Sequence, residues 1–112
     1  MNEAVWIHPP VNKKGYEDLK HVFHLYVVRC PDNSRDKLAQ YLKSAGIDTG
    51  IHYPVPIHLQ KAYTSLNYKK GDFPVTEKLS SEILSLPMYP ELNESQIEYI
   101  AGKVRSFYKS AN

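Results

Sequence analysis

The chain has one cysteine, Cys30, so no disulfide can form within it and packing alone must hold the fold. Such sparing cysteine use suits a reducing compartment, and a cytoplasmic protein is expected. No apolar run approaches the ~20 residues of a membrane-crossing helix, and the N-terminus shows no apolar core of a secretion signal, so no membrane association is expected. Charge of one sign is also scarce. The net charge is +2 and the lysines are scattered, which gives no electrostatic basis for binding nucleic acid. The five glycines form neither a dinucleotide-binding fingerprint nor a phosphate loop. Internal repeats and low-complexity tracts are missing too.

What is present suits one domain. At 112 residues the chain is long enough for a single core and too short for two. Tyrosine supplies nine of the thirteen aromatics. Its ring is apolar and its tip polar, so this abundance favours a domain with a hidden face at an interface or cleft.

Residues 1–20 lack a period and are interrupted by Pro9, Pro10 and Gly15; they read as an arm or linker, with 21–112 as the domain. Val5-Trp6-Ile7 is an apolar patch in this arm that needs something to pack on. His21 to Cys30, HVFHLYVVRC, is rich in β-branched and aromatic residues and predicts a strand with both faces covered. Pro31 to Ser34 is a turn with Ser34 as helix N-cap. Leu38, Tyr41, Leu42 and Ala45 form one helical stripe, closed by Gly46 in the left-handed conformation. Asp48–Tyr53 predicts a second strand, His58–Leu66 a short helix and Pro74–Leu84 a longer one with Val75, Leu79 and Ile83 on one side. Leu86 to Pro90 is extended. Asn93 and Gln96 have capping-box spacing, and Ile97, Ile100, Ala101, Val104 and Tyr108 continue as the stripe of a last helix. The fold class is therefore α+β: a small sheet with helices mainly on one face.

The densest polar and aromatic cluster is Gly46 to Tyr63, GIDTGIHYPVPIHLQKAY. Pro54 and Pro56 stiffen a stretch that holds two histidines and two tyrosines. A rigid loop with convergent imidazole and phenol groups binds polar ligands at little entropic cost. The bland alternative is a tight surface loop whose histidines satisfy backbone groups. A metal site is not expected: His21 and His24 fall on opposite faces of a strand, and His52 and His58 lack the tight pairing of zinc ligands. Ser34 and Lys37 match the Ser-x-x-Lys spacing of serine acyl enzymes, but the supporting motifs are missing, so no catalytic residue is assigned.

The same loop resembles the signature of the DegT/StrS-type sugar aminotransferases, which act on nucleotide-linked keto sugars. HVFHLYVVRC, the Ser34-Arg-Asp-Lys-Leu segment, Tyr68-Lys-Lys-Gly-Asp-Phe-Pro, Glu77 and SLPMYPEL follow in the family's order and spacing, so the resemblance covers about residues 21–108. It implies the C-terminal small domain of a fold type I aminotransferase. In such enzymes a large domain binds pyridoxal phosphate on a lysine, the enzyme is a homodimer, and an amino group passes, usually from glutamate, to the keto sugar. No lysine here stands in a matching context, so the resemblance implies no cofactor-binding residue and no activity for this chain by itself; the large domain would be its partner. His52 and Tyr53 match the family's pair at the substrate side, with His58 just beyond, and these three are the expected substrate-binding residues. A stand-alone regulatory or ligand-binding module using the His52/Tyr53 loop, or a structural remnant, is the alternative.

Overall fold

The computed structural model describes Asp18, Lys20 and residues 22–111. The arm read over residues 1–20, with Val5-Trp6-Ile7, lies almost wholly outside them, as does His21. Five regular elements follow one another: β1 (Tyr26–Arg29), α1 (Arg35–Ser44), α2 (Pro74–Glu82), β2 (Ile83–Leu86) and α3 (Glu94–Ser110). Two 3-10 helices, Ile57–Leu59 and Lys61–Leu66, lie between α1 and α2.

Side chains alternate along a strand, so antiparallel pairing of β1 with β2 puts Val28 opposite Leu84 and Tyr26 opposite Leu86 on one face. That face carries the core. Val28, Cys30, Leu38 and Leu42 are fully buried, and Ile47, Leu84, Val104 and Tyr108 complete the cluster. Leu38 with Leu42, and Val104 with Tyr108, are four-residue steps on α1 and α3, so each helix turns one stripe onto the sheet. Burying each such side chain stabilises the fold by about 1.5–3 kcal/mol. The expected α+β layer, a small sheet with helices on one face, is what forms.

Helix ends follow local chemistry. Gly46 takes φ 77°, closing α1 as its position predicts. The Asn93 side chain accepts from the Gln96 amide, and the Gln96 side chain accepts from the Asn93 amide, so the capping box is made in full. Ser34 occupies the N-cap position but does not cap. Its hydroxyl donates instead to Pro31 O at 2.6 Å, which leaves Tyr108 to donate to Ser34 Oγ at 2.7 Å. That bond pins the end of α3 to the turn before α1.

Three expectations need correcting. The strand foreseen over His21–Cys30 is confined to Tyr26–Arg29 and is not covered on both faces: Val28 is buried while Arg29 is exposed beside it, its guanidinium on Glu82. The second strand is not Asp48–Tyr53 but Ile83–Leu86; from the former only Gly50 joins, as a single bridge to Ser85. The helix foreseen over Pro74–Leu84 stops at Glu82, because Ile83 and Leu84 gain more by pairing with Arg29 and Val28. Val75, placed on the packed side of that helix, is 71% exposed.

Candidate functional site

The site begins at Gly50. Its amide donates to Ser85 O at 3.0 Å and its carbonyl accepts from the Ser85 amide at 2.7 Å, so β2 lies between β1 and this one-residue bridge. A Cβ at Gly50 would stand 2.7 Å from His52 Cε1. Glycine therefore lets the imidazole fold back over its own backbone. There His52 Nδ1 meets Ser85 Oγ at 2.9 Å, and Ser85 is only 5% exposed. A buried hydroxyl without a partner is costly, so His52 both satisfies Ser85 and is oriented by it. His52 Nε2 makes no hydrogen bond to any described residue.

The peptide bond from His52 to Tyr53 is cis. The two rings meet edge to face, with centroids 5.7 Å apart. Tyr53 is 73% exposed. One ring nitrogen and one phenol are thus presented side by side to solvent, the first from an anchored ring. Such a pair can donate to or accept from hydroxyl and phosphate oxygens.

His58 has a different setting. Its side chain is 7% exposed, and Nε2 lies 2.9 Å from Glu77 Oε1 in the first turn of α2. The Gly71 amide donates to the same oxygen at 2.7 Å. The bond from His58, then that from Gly71, hold the Glu77 carboxyl below its usual range. The carboxylate can only accept, so His58 Nε2 carries the proton. Phe73 closes over the His58 ring with centroids 4.8 Å apart, and Tyr68 packs on Phe73 at 5.0 Å. The structure thus brings His52 and Tyr53 together and turns His58 inward to Glu77. Val55 and Ile57, beside these residues in sequence, are exposed, as are Leu66 and Val75 further along the chain.

The other reactive groups have structural employment. Cys30 is fully buried, and burial pushes its thiol up. The Ser34 hydroxyl is engaged by Pro31 and Tyr108, while Lys37 is exposed. Among the described residues no group of three His, Cys, Asp or Glu side chains could hold a metal ion. Nor do the described residues fit pyridoxal phosphate, which needs an enclosed lysine, a carboxylate for the ring nitrogen and a phosphate cradle. Every described lysine is exposed except Lys103, whose ammonium lies 5.4 Å from the Tyr99 ring centroid. A cleft of about 680 Å³ opens between Gly46–Asp48, Tyr89 and the start of α3, away from His52, Tyr53 and His58. It has no imidazole, lysine or cysteine, and its Tyr99 hydroxyl is spent on Ala45 O at 2.9 Å. No described helix is long and apolar enough to cross a membrane.

Similar sequences and folds occur among known proteins. The chain is 46% identical over 99 residues to the pleiotropic regulatory protein of Geobacillus stearothermophilus, covering 88% of this chain and 26% of that protein. It is 37% identical over 91 residues to dTDP-3-amino-3,6-dideoxy-alpha-D-galactopyranose transaminase of Aneurinibacillus thermoaerophilus, covering 81% of this chain and 24% of the relative. Among solved structures, S. venezuelae DesV in complex with a ketimine intermediate superposes with a TM-score of 0.80 at 38% identity, over 90% of this chain and 26% of that one. The chain thus spans about a quarter of the length of the relatives it matches. The sequence profile of the DegT/DnrJ/EryC1/StrS aminotransferase family matches residues 2–105, and the chain belongs to that family.

Proposed function

We propose that this chain is the C-terminal small domain of a nucleotide-sugar aminotransferase and supplies the substrate side of its active site. One observation carries the reading: His52 is fixed through Nδ1 on the buried Ser85, with Nε2 left to bond outward beside the exposed Tyr53. The names of the Aneurinibacillus relative and of a Pseudomonas aeruginosa UDP-2-acetamido-2-deoxy-3-oxo-D-glucuronate aminotransferase, 35% identical over 81 residues, support a nucleotide-linked keto sugar as substrate.

In this reading His52 Nε2 and the Tyr53 hydroxyl bond sugar or phosphate oxygens and hold the keto group for amination, with glutamate as amino donor. When bound, pyridoxal phosphate supplies the electron sink of the reaction. The described residues of this chain do not build its site, so a large domain must hold it, in a homodimer. His58 enters as support rather than contact, because its Nε2 is taken by Glu77. The exposed Val55, Ile57 and Leu66 face the large domain, and by itself the chain is inactive.

The test is reconstitution. Mixing this chain with a separately made large domain from the family, pyridoxal phosphate, glutamate and a dTDP- or UDP-linked keto sugar should give turnover that neither part shows by itself. Turnover by the large domain unaided, or by this chain unaided, would overturn the reading.

A further inference from the structure

Glu77 lies 19 positions from His58 in sequence and outside the loop that carries His52 and Tyr53, yet one of its oxygens gathers two bonds from the excursion that runs between Gly50 and α2. His58 reaches it from the near side of the excursion and the Gly71 amide from the far side. Glu77 sits in the first turn of α2, and α2 runs into β2 with no residue between them. Ser85, which holds His52, is on β2. The stretch between the two histidines is therefore tied at both ends to one continuous piece of regular backbone, Pro74 to Leu86. Between the ties lie Tyr53, Pro54, Val55, Pro56 and Ile57. Each proline removes a backbone donor and fixes φ, so the stretch has little freedom once its ends are set. Gln60 adds a brace, its side-chain amide donating to Val55 O at 3.2 Å.

We infer that Glu77 is a positioning residue for Tyr53: by holding His58 and the Gly71 amide on one carboxylate oxygen, it fixes the far end of the span whose near end His52 fixes on Ser85. The consequence for turnover rests on the function proposed above. The placement itself does not.

A plain alternative exists. A carboxylate in the first turn of a helix is favourable there by charge alone. The two roles separate on substitution. Glu77→Gln removes the charge but keeps an oxygen able to accept from both donors, whereas Glu77→Ala removes both.

The experiment uses the whole chain, without substrate, and reads amide hydrogen exchange residue by residue together with the NMR signals of the Tyr53 ring. The informative amides are Gly71, on Glu77, and Leu59 and Gln60, which donate to Pro56 O and Ile57 O in the tethered stretch. Gly50, Ser85 and Cys30, whose amides belong to the sheet, are controls. In Glu77→Ala the three informative amides should exchange about tenfold faster, the factor expected for loss of one ordinary hydrogen bond. The Tyr53 ring should lose its close approach to His52, and the controls should not change. Glu77→Gln should restore the wild-type pattern. Unchanged Leu59 and Gln60 exchange with an unchanged Tyr53 ring in Glu77→Ala would overturn the inference. So would a Gln variant that behaves like Ala, or controls that accelerate as much as the informative amides. No substrate is present, so failure here is distinct from failure of the reconstitution.

Discussion

His52 Nδ1 stands 2.9 Å from the hydroxyl of Ser85, and this contact joins an exposed imidazole to a polar side chain buried in the sheet. Ser85 lies on the central strand of a minimal sheet, with β1 on one side and the Gly50 bridge on the other. Its side chain points to the face opposite Val28 and Leu84, where neither α1 nor α3 packs. The imidazole meets it there, so the ring that Ser85 orients also satisfies Ser85.

Ser85→Ala should show what this contact contributes. The hydrogen bond is worth about 0.5–1.5 kcal/mol, and the exposed His52 can turn to water once it is gone. For a domain of this size a loss of ~1 kcal/mol lowers the melting temperature by about 4–8 °C. Calorimetry on the variant checks the drop, and an unchanged midpoint would mean that the bond adds nothing to stability.

Gly50→Ala should break the same contact from the other side. The backbone at Gly50 is not in the left-handed region, so alanine is tolerated there; the added Cβ, 2.7 Å from His52 Cε1, is not. The ring must swing away and release Ser85. Since both variants lose one bond, Gly50→Ala with Ser85→Ala should be non-additive, with a coupling of at least about 0.5 kcal/mol in a double-mutant cycle. Additivity within error would show that His52 moves without leaving Ser85.

Much of this was legible in the residues. Leu38 with Leu42 marked α1, Gly46 its end, and Asn93 with Gln96 the start of α3, because each signal is local and no tertiary contact opposes it. The sheet was harder. Ile83 fits the helical spacing of Val75 and Leu79 as well as it fits a strand, and only pairing with Arg29 decides between them. The serine between Leu84 and Leu86 was the available clue, since a polar residue amid apolar ones fits strand alternation. Of the site, His52 and Tyr53 stood out through the loop and its resemblance. Their anchor did not: Ser85 is 33 positions from His52, and Glu77 is 19 from His58. No periodicity reports contacts across such separations, so the bond between His58 and Glu77 could not be foreseen.

The Glu77 carboxyl gives a pH dependence. Its pKa is lowered in the fold, by the bond from His58 first and that from Gly71 second. A carboxyl with a depressed folded pKa contributes stability above the ordinary value of about 4.3, and that stability is lost as pH falls through the folded value. Acid titration of the wild type should therefore show a destabilising limb below the normal carboxylate range, and Glu77→Gln should flatten it. A limb of the same steepness in both proteins would place its origin elsewhere.

At the alkaline end the sign reverses for Tyr108. Burial, chiefly, pushes its phenol up to about 12. The unfolded chain releases this proton near 10, so between those values the folded state holds a proton the unfolded state has lost, and stability falls as pH rises. Tyr108→Phe should lose the bond to Ser34 at neutral pH yet decline less from pH ~10 upward. Denaturant midpoints measured across that range decide it, and parallel declines would exclude Tyr108 as the source.

His52→Ala is the most telling substitution, because it should injure stability and turnover by separable routes. In a complete enzyme that includes this chain, loss of an imidazole bonded to a sugar hydroxyl costs about 0.5–1.5 kcal/mol, and to a charged phosphate oxygen about 1.5–3. At 1.4 kcal/mol per decade, kcat/KM should fall by roughly one to two powers of ten. The same change strands the Ser85 hydroxyl, and an unsatisfied buried group costs about 1–3 kcal/mol of stability. A fall in activity by itself would then be ambiguous. Adding Ser85→Ala removes the stranded partner, so no polar group of the pair is left unsatisfied. The double variant should therefore recover most of the melting temperature while kcat/KM stays low. If efficiency returns together with stability, His52 only shapes the loop and the substrate contact belongs to other residues.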